Sequence, residues 1–283
     1  MVKKKTYSYV ALHIGLILFS FILLLPFVSL LSTSFKTFEE ALANPAKLIP
    51  NSLNFENYKK VITEQNYFSG FFTSLQIAMI SSIGTVFSAS LVAYAFARFD
   101  VREKNVIFSI LMMSAMIPGQ VLQISMYEMY VNIGWMNTYL PFWIPPFLGG
   151  GIMNVFLIRQ FFMGMPKVIY EAAEIDGASE FKQYATIALR LSVPVLLTVF
   201  IMTFTGSWND FMSPLLYLNN MPDNKLPLAL LMYNMYDRLK IGDNKCWNII
   251  SAGNILMMLP IVLLFFGTQK YFIEGINVSG IKQ

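Results

Sequence analysis

The chain has 283 residues, of which 56% are hydrophobic and only 13% are charged, and its mean hydropathy is +0.56. So small a charged share cannot cover the outside of a water-soluble domain of this size, so the composition argues against a soluble globular protein. The net charge of +4 fits attraction to anionic lipids of the inner leaflet and gives no indication of nucleic-acid binding. We therefore predict an all-α integral membrane protein, because open strands leave backbone groups unpaired in lipid.

Six stretches come close to the ~20 apolar residues that a helix needs to cross a bilayer. They are Tyr9 to Leu31, Phe71 to Phe96, Val106 to Ile124, Leu140 to Ile158, Val193 to Leu216 and Ile249 to Phe266. Small residues in the second stretch, around Gly84 and Ala89, and again at Gly149 to Gly151, are predicted to allow helices to approach closely. Six transmembrane helices packed as one domain over residues 1–283 follow from this pattern.

The lysines and arginines predict the orientation of these spans. If both termini are cytoplasmic, most of the twenty basic residues fall in cytoplasmic segments, as the positive-inside rule requires. The first span follows Lys3 to Lys5 and could pass for a signal peptide, but its apolar run is too long and it has no obvious small-residue cleavage site.

A charged, amphipathic stretch from Pro166 to Pro194 lies between the fourth and fifth spans, on the predicted cytoplasmic side. Pro166 is suited to the first position of a helix, and Gly177 is suited to end it. Ser179 can then cap a second helix. The spacing predicts one apolar face on that second helix, formed by Phe181, Tyr184, Ala185, Ala188 and Leu191. The pair is either an interfacial structural element or a surface on which a soluble partner docks.

The residues of this stretch resemble the EAA loop of the membrane-spanning permeases of bacterial ABC importers. Glu171, Ala172 and Ala173 are followed after three residues by Gly177, and after nine more by Ile187 and then Leu189. Other passages resemble the carbohydrate permeases, in particular the MalG-like half of maltose-type and oligosaccharide importers: Asn154 to Phe162, Leu191 to Pro194, Trp208 to Phe211, Pro214 with Leu215, and Gln269 to Lys282. Where the family pattern has a proline after the leucine, this chain has Arg190, so the geometry of the second helix is open.

The resemblance implies a type I ABC importer permease fold with a cytoplasmic coupling helix pair at residues 166–194, in the bacterial cytoplasmic (inner) membrane. It implies that ATP and Mg are bound by partner ATPase subunits, since the chain has no Gly-x-x-x-x-Gly-Lys-Ser/Thr phosphate loop and no cofactor of its own is expected. The implied partners are a second, MalF-like permease subunit, two ATPase subunits, an extracytoplasmic solute-binding protein and a carbohydrate. The residues that the resemblance assigns to ATPase coupling are Glu171, Ala172, Ala173, Asp176, Gly177, Ile187 and Leu189.

Substrate recognition has a weaker signal. Polar residues inside a membrane helix are costly and so indicate function, and the cluster Gly206-Ser207-Trp208-Asn209-Asp210 in the fifth span is the clearest case. Its candidate substrate residues are Trp208, Asn209 and Asp210. Trp208 could stack on a sugar while the other two bond hydroxyls, or Trp208 lies at the outer interface while the other two pair with neighbouring helices. The same alternatives apply to Gln120, Gln123 and Tyr127.

The remaining features give little chemistry. His13 is the only histidine and Cys246 the only cysteine, so neither a histidine-centred metal cluster nor an internal disulfide is expected. No convergent catalytic residues are visible, so the chain is expected to be a transport subunit and not an enzyme. An importer of polyamine or phosphate, and less so an ion-coupled secondary transporter, remain as alternatives.

Overall fold

The computed structural model describes residues 2–279, and it describes side chains for residues 12–270. Most of this part of the chain is helical. The helices are α1 (Val2–Ser34), α2 (Phe38–Ala43), α3 (Glu56–Glu64), α4 (Tyr67–Arg98), α5 (Lys104–Ser114), α6 (Gly119–Asn132), α7 (Leu140–Trp143), α8 (Ile152–Met163), α9 (Lys167–Ile175), α10 (Glu180–Gln183), α11 (Leu189–Leu191), α12 (Val193–Asn209), α13 (Met212–Tyr217), α14 (Leu228–Arg238) and α15 (Trp247–Ser279). A π-helical turn, Tyr184–Ala188, joins α10 to α11, and short 3-10 turns lie at Pro145–Phe147 and Asp223–Lys225.

A small hairpin is formed by strands β1 (Lys240–Ile241) and β2 (Asn244–Lys245). The strands are antiparallel and pair Lys240 with Lys245 and Ile241 with Asn244. Gly242 in the turn has a φ of +58°, which glycine adopts without strain. The hairpin lies between α14 and α15.

Four stretches are long and apolar enough to cross a membrane: Leu12–Ser34, Tyr67–Arg98, Leu140–Met163 and Trp247–Lys270. Two bent helix pairs also pass when each pair is taken together. The first is α5 with α6, bent by 90°, and the second is Glu180–Leu191 with α12, bent by 77°. The chain is therefore a helical membrane protein with four candidate spans, or six if each bent pair forms one span.

Three of the predicted spans are not continuous helices. The predicted span Val193 to Leu216 is interrupted between α12 and α13, where Asp210 has an extended conformation. Proline or glycine explains the other two breaks. The predicted span Val106 to Ile124 is interrupted between α5 and α6, where Pro118 has an extended conformation. The predicted span Leu140 to Ile158 is interrupted before α8 at Gly149, Gly150 and Gly151, all with positive φ. Proline cannot continue the preceding helix, and successive positive φ angles are incompatible with a right-handed one.

The chain divides into two compact units, and the first comprises Met1–Phe68 with Leu231–Leu259. Buried polar side chains stabilise the segment that follows α1. The Lys36 ammonium is fully buried and donates to the carbonyl oxygens of Asn44 at 3.0 Å and Pro45 at 3.2 Å. Asn248 Nδ2 donates to Asn57 Oδ1 at 2.8 Å. Buried polar groups are costly unless bonded, so these contacts fix the conformation of the segment between α1 and α4.

The second unit comprises Ser69–Leu230 with Pro260–Gln283. Its core shows the close approach that the small residues predicted. A Cβ placed on Gly150 would lie 2.6 Å from the Cβ of Ala89 and 2.5 Å from the carbonyl oxygen of Thr85. A Cβ placed on Gly84 would lie 2.6 Å from the Phe147 ring. Gly150 therefore approaches α4 closely at Thr85 and Ala89, and Gly84 of α4 approaches Phe147. The prediction that these small residues allow close packing is confirmed.

Candidate functional site

The stretch from Pro166 to Pro194 forms two helical segments joined by a tight turn. Pro166 is extended and α9 begins at Lys167, one residue later than predicted. The helix ends in a Schellman motif, in which Ala178 N donates to Ala173 O at 2.9 Å and Gly177 N donates to Glu174 O at 3.0 Å. Gly177 has a φ of +73°, so the predicted turn at this glycine is confirmed.

The second segment starts with the predicted cap. Ser179 Oγ accepts a hydrogen bond from Lys182 N at 3.4 Å. The predicted apolar face is buried only in part: Tyr184 and Ala188 are buried, whereas Phe181 is 73% exposed and Leu191 is 47% exposed. The π-helical turn explains the difference: it holds an extra residue, so residues before and after it no longer share one α-helical face.

Arg190, the residue at which the chain departs from the pattern that the resemblance implies, lies in the helical segment α11 with its side chain exposed. The chain bends two residues later. Ser192 is fully buried, its Oγ donates to the Ala188 carbonyl at 2.6 Å, and α12 begins at Val193 with Pro194 in its first turn. A proline is tolerated there but cannot extend the preceding helix, so Pro194 still defines the entry into α12.

The residues of the EAA-like sequence fall on both sides of this helix pair. Glu171, Ala172, Asp176 and Gly177 are exposed, and Ala173 is half-buried. Ile187 and Leu189 are half-buried and pack against the core of the second unit. We define the helix-pair surface as the exposed residues Val168, Glu171, Ala172, Ile175 and Phe181.

The helix-pair surface carries apolar side chains into solvent. Ile175 is 87% exposed, Phe181 is 73% exposed and Val168 is 70% exposed. On the other side of α9, Tyr170 is only 3% exposed, and burial raises the pKa of its phenol. One side of α9 is thus anchored and the other presents acidic and apolar groups, which is the composition expected of a docking helix.

Sequence reasoning missed the residue that contacts both segments from outside the stretch. Arg98 ends α4, and its Nη2 donates to Glu174 Oε1 at 2.6 Å and to Gln183 Oε1 at 3.3 Å. Its guanidinium also lies 4.3 Å from the centre of the Tyr170 ring. An arginine at the end of an apolar span is the available signal, but membrane orientation alone accounts for such an arginine.

A cavity of about 300 Å³ lies within the second unit, away from the helix pair. It is partly polar and partly aromatic. Its lining includes Ile77 and Ser81 of α4, Tyr130 of α6, Thr203 and Ser207 of α12, and Asp210, Ser213, Pro214 and Tyr217 after α12; Pro141, Phe142, Pro145, Pro146 and Pro227 complete it. The volume is at the lower end of the range for small-molecule sites.

The structure places only one of the predicted substrate residues at this cavity. Asp210 lines it, and Asp210 Oδ1 also accepts a hydrogen bond from Ser213 N at 3.1 Å, where α13 begins. Asn209 and Gln120 are exposed, Gln123 and Tyr127 are half-buried, and none of the four is among the lining residues.

Trp208 packs among aromatic residues. Its side chain is fully buried, with its ring centre 5.5 Å from that of Phe71 and 5.7 Å from that of Phe204. Trp208 is not among the residues that line the cavity, and its role in the substrate pathway stays a prediction. The polar residues of the sequence correctly indicated the C-terminal end of α12 as a wall of the cavity. The residues that line it there are Ser207 and Asp210, which flank Trp208 and Asn209.

Among the residues with described side chains, no group of three or more His, Cys, Asp and Glu could hold a metal ion. The tail after Phe272, which the resemblance directs toward the ATPase subunits, continues α15 as far as Ser279. Its side chains, and the residues from Gly280 onward, lie outside the described part of the chain.

Comparison with known proteins agrees with this arrangement. Residues 86–278 match the model of the family described as binding-protein-dependent transport system inner membrane component. The chain is 31% identical to the arabinooligosaccharide transport permease AraQ of Halalkalibacterium halodurans, with 96% of this chain and 95% of that protein covered. It is 27% identical to the trehalose/maltose transport permease MalG of Thermococcus litoralis, with 96% of both chains covered.

A solved structure has the same fold. A chain of a bacterial ABC transporter that imports the acidic polysaccharide alginate superposes with a TM-score of 0.80 at 17% identity, over 94% of this chain and 97% of that one. The family match extends over well more than half of the residues, and the first relative aligns almost end to end. The chain is thus a member of the family of binding-protein-dependent transport system inner membrane components.

Proposed function

We propose that this protein is one of two permease subunits of an ABC importer, that it forms half of a translocation pathway for a carbohydrate, and that separate ATPase subunits drive it. The observation that carries the proposal is the helix-pair surface in a chain of this family. An anchored helix with exposed acidic and apolar residues suits a groove on a soluble partner, and the EAA-like residues Glu171 and Ala172 lie on it.

The sequence of the helix pair supports ATPase docking by its chemistry. Ala172 has a small side chain, which allows a partner backbone to come close. The exposed Glu171 carboxylate can accept a charge-assisted hydrogen bond. Ile175 and Phe181 supply apolar area that water would otherwise cover, and burying apolar area stabilises a complex by about 25 cal/mol per Å² before the costs of association.

The cavity is our candidate for a part of the substrate pathway. Asp210, Ser207 and Thr203 offer hydroxyl and carboxylate groups, while Tyr130 and Tyr217 offer aromatic surface. Hydroxyl-rich sugars are bound by this combination of hydrogen-bonding groups and aromatic faces. An oligosaccharide substrate is supported by the relatives, whose names specify arabinooligosaccharides and trehalose or maltose. A cationic or phosphate substrate is the alternative that a transport assay must test.

The rest of the assembly follows from the same proposal. Both termini are cytoplasmic, so the helix pair faces the ATPase subunits and the loops at Phe35 to Tyr67 and Tyr217 to Trp247 face the outside. A solute-binding protein would dock on these outer loops, in keeping with the family's description as binding-protein-dependent. A second, MalF-like permease would complete the pathway, and ATP with Mg would be bound only by the ATPase subunits.

The test is retention of the ATPase subunits by affinity-tagged permease purified from membranes. The double variant Glu171→Lys/Phe181→Asp reverses the charge at position 171 and places a new charge in the docking area at position 181. It should release the ATPase subunits while the chain still inserts. Glu103→Lys is the matched control, since Glu103 is exposed and lies in the loop before α5, on the same predicted membrane side. Loss of ATPase subunits from both variants, or from neither, contradicts the proposed surface.

A further inference from the structure

The end of helix α4 makes a row of polar contacts with the helix pair. Ser90, Tyr94 and Arg98 are four residues apart, so they lie on one face of α4. The hydroxyl groups of Ser90 and Tyr184 are 2.8 Å apart. Tyr94 Oη donates to Glu180 Oε2 at 3.0 Å. The row therefore follows the second segment of the helix pair for two turns.

Arg98 ends this row and contacts the first segment as well. Its ion pair with Glu174 and its position over the Tyr170 ring hold α9, whereas its bond to Gln183 holds α10. Gln183 is 1% exposed and its Nε2 donates to the Ala178 carbonyl at 3.0 Å, which ties the turn between the segments to the same group. The Arg98 guanidinium thus contacts both segments directly, and it is connected to the turn between them through Gln183.

The same helix reaches the cavity at its other end. Ser81 and Ile77 line the cavity, and α4 is uninterrupted between Ser81 and Arg98. At 1.5 Å per residue, those 17 positions span ~25 Å. No proline interrupts this part of the helix, so it can move as a rigid element. Energetic coupling over such distances is carried by rigid elements and hydrogen-bonded networks of this kind.

We infer that Arg98 is a positioning residue that transmits movement of the helix pair to α4, and through α4 to the wall of the cavity. The inference rests on the proposed function, because it assumes that ATPase subunits move the helix pair. It goes beyond that function by naming the link on the permease side. Arg98 is half-buried and is not one of the residues that define the helix-pair surface, so ATPase docking should not depend on it.

The experiment measures sugar uptake and ATP hydrolysis together in proteoliposomes that contain the complete complex. Arg98→Gln removes the charge and the ion pair, and Glu174→Gln removes the same pair from its more exposed partner, whose side chain is 52% exposed. Arg102→Gln and Glu103→Gln are matched controls, with the same chemical changes at exposed positions between α4 and α5.

Both pair variants should retain their ATPase subunits, hydrolyse ATP and lose uptake per ATP hydrolysed by roughly two- to thirty-fold, the range for changes along a coupling network. Arg98→Lys restores the charge without the planar fork, and should recover part of the ratio. A purely structural role for Arg98 would lower the amount of assembled complex and leave the ratio unchanged.

The outcomes are distinguishable. If the unaltered complex transports with ATP and both pair variants keep its uptake-to-hydrolysis ratio, the inference is wrong and the proposed function stands. If the pair variants lose their ATPase subunits, Arg98 belongs to docking and the inference is also wrong. If the unaltered complex shows no ATP-dependent uptake of any solute, the proposed function and the inference fail together. Should Arg98→Gln fail to insert, the ratio for Glu174→Gln decides alone.

Discussion

Replacing Gly177 with alanine should damage the turn between α9 and α10 without creating a clash. A Cβ at this position would meet nothing within 4 Å, so steric overlap has no part in the effect. The φ of +73° lies in the left-handed region, which costs an L-residue about 1–2 kcal/mol. A cost of this size changes the ratio of two conformations by about 5- to 30-fold, and the Schellman geometry of the turn would be populated less by that factor.

Asparagine and a second glycine give this prediction its controls. Asparagine tolerates the left-handed region better than alanine, so Gly177→Asn should lie between alanine and the unaltered protein. Gly164 also ends a helix, α8, but with an ordinary φ of −79°, and a Cβ there would be 3.4 Å from the nearest atom. Gly164→Ala should therefore leave function nearly unchanged.

The assay is ATP-driven uptake by the reconstituted complex, with retention of the ATPase subunits measured on the same preparations. We expect uptake to decrease in the order unaltered protein and Gly164→Ala, then Gly177→Asn, then Gly177→Ala. Equal uptake by Gly177→Ala and the unaltered protein would refute the reasoning from backbone strain. Equal loss in Gly177→Asn and Gly177→Ala would show that the flexibility of glycine matters, and not its left-handed conformation.

Three further predictions concern packing and reactivity. Gly150→Ala should lower the yield of folded protein, because overpacking against Ala89 and backbone strain together cost about 2–5 kcal/mol. Gly206→Ala is the control and should leave the yield unchanged, because a Cβ there meets no atom within 4 Å. Thermal-shift assays in detergent measure both variants. Trp208→Ala should lower the melting temperature, because the free energy of unfolding falls by about 3–5 kcal/mol. Trp208→Phe should lower it less. A change of KM for sugar at unchanged stability would contradict the role of Trp208 in packing. Burial raises the pKa of the Cys246 thiol, so maleimide labelling near pH 7.5 should be slow until detergent unfolding, and rapid labelling of the native chain would contradict its burial.

The sequence was sufficient for the features that depend on local chemistry. Gly177 could be identified as a turn because its neighbours form an amphipathic helix, and Ser179 could be identified as a cap because it directly follows that turn. The apolar runs were also visible, since length and hydropathy alone determine whether a helix can cross a bilayer. Breaks at Pro118 and at the three successive glycines have local signals that the hydropathy of the predicted spans concealed.

Features that depend on tertiary contact could not be predicted. The π-helical turn at Tyr184–Ala188 changes the buried face of the second segment, and a fixed 3.6-residue period cannot include it. Arg98 is 76 residues from its partner Glu174 in the chain, so no spacing rule relates them. Trp208 and Asp210 have similar polar signals, but only packing against Phe71 and Phe204 decides that the tryptophan is buried and the carboxylate lines the cavity.

The central claim is that this chain conducts a carbohydrate when ATPase subunits hydrolyse ATP. The most direct measurement is uptake of a panel of labelled mono- and oligosaccharides, with a polyamine and phosphate as comparison solutes, by vesicles containing the purified complex. The account predicts uptake of at least one saccharide only when ATP is supplied with the binding protein, and its loss in Glu171→Lys. Uptake that follows an ion gradient and ignores ATP, or uptake of the comparison solutes alone, would contradict it.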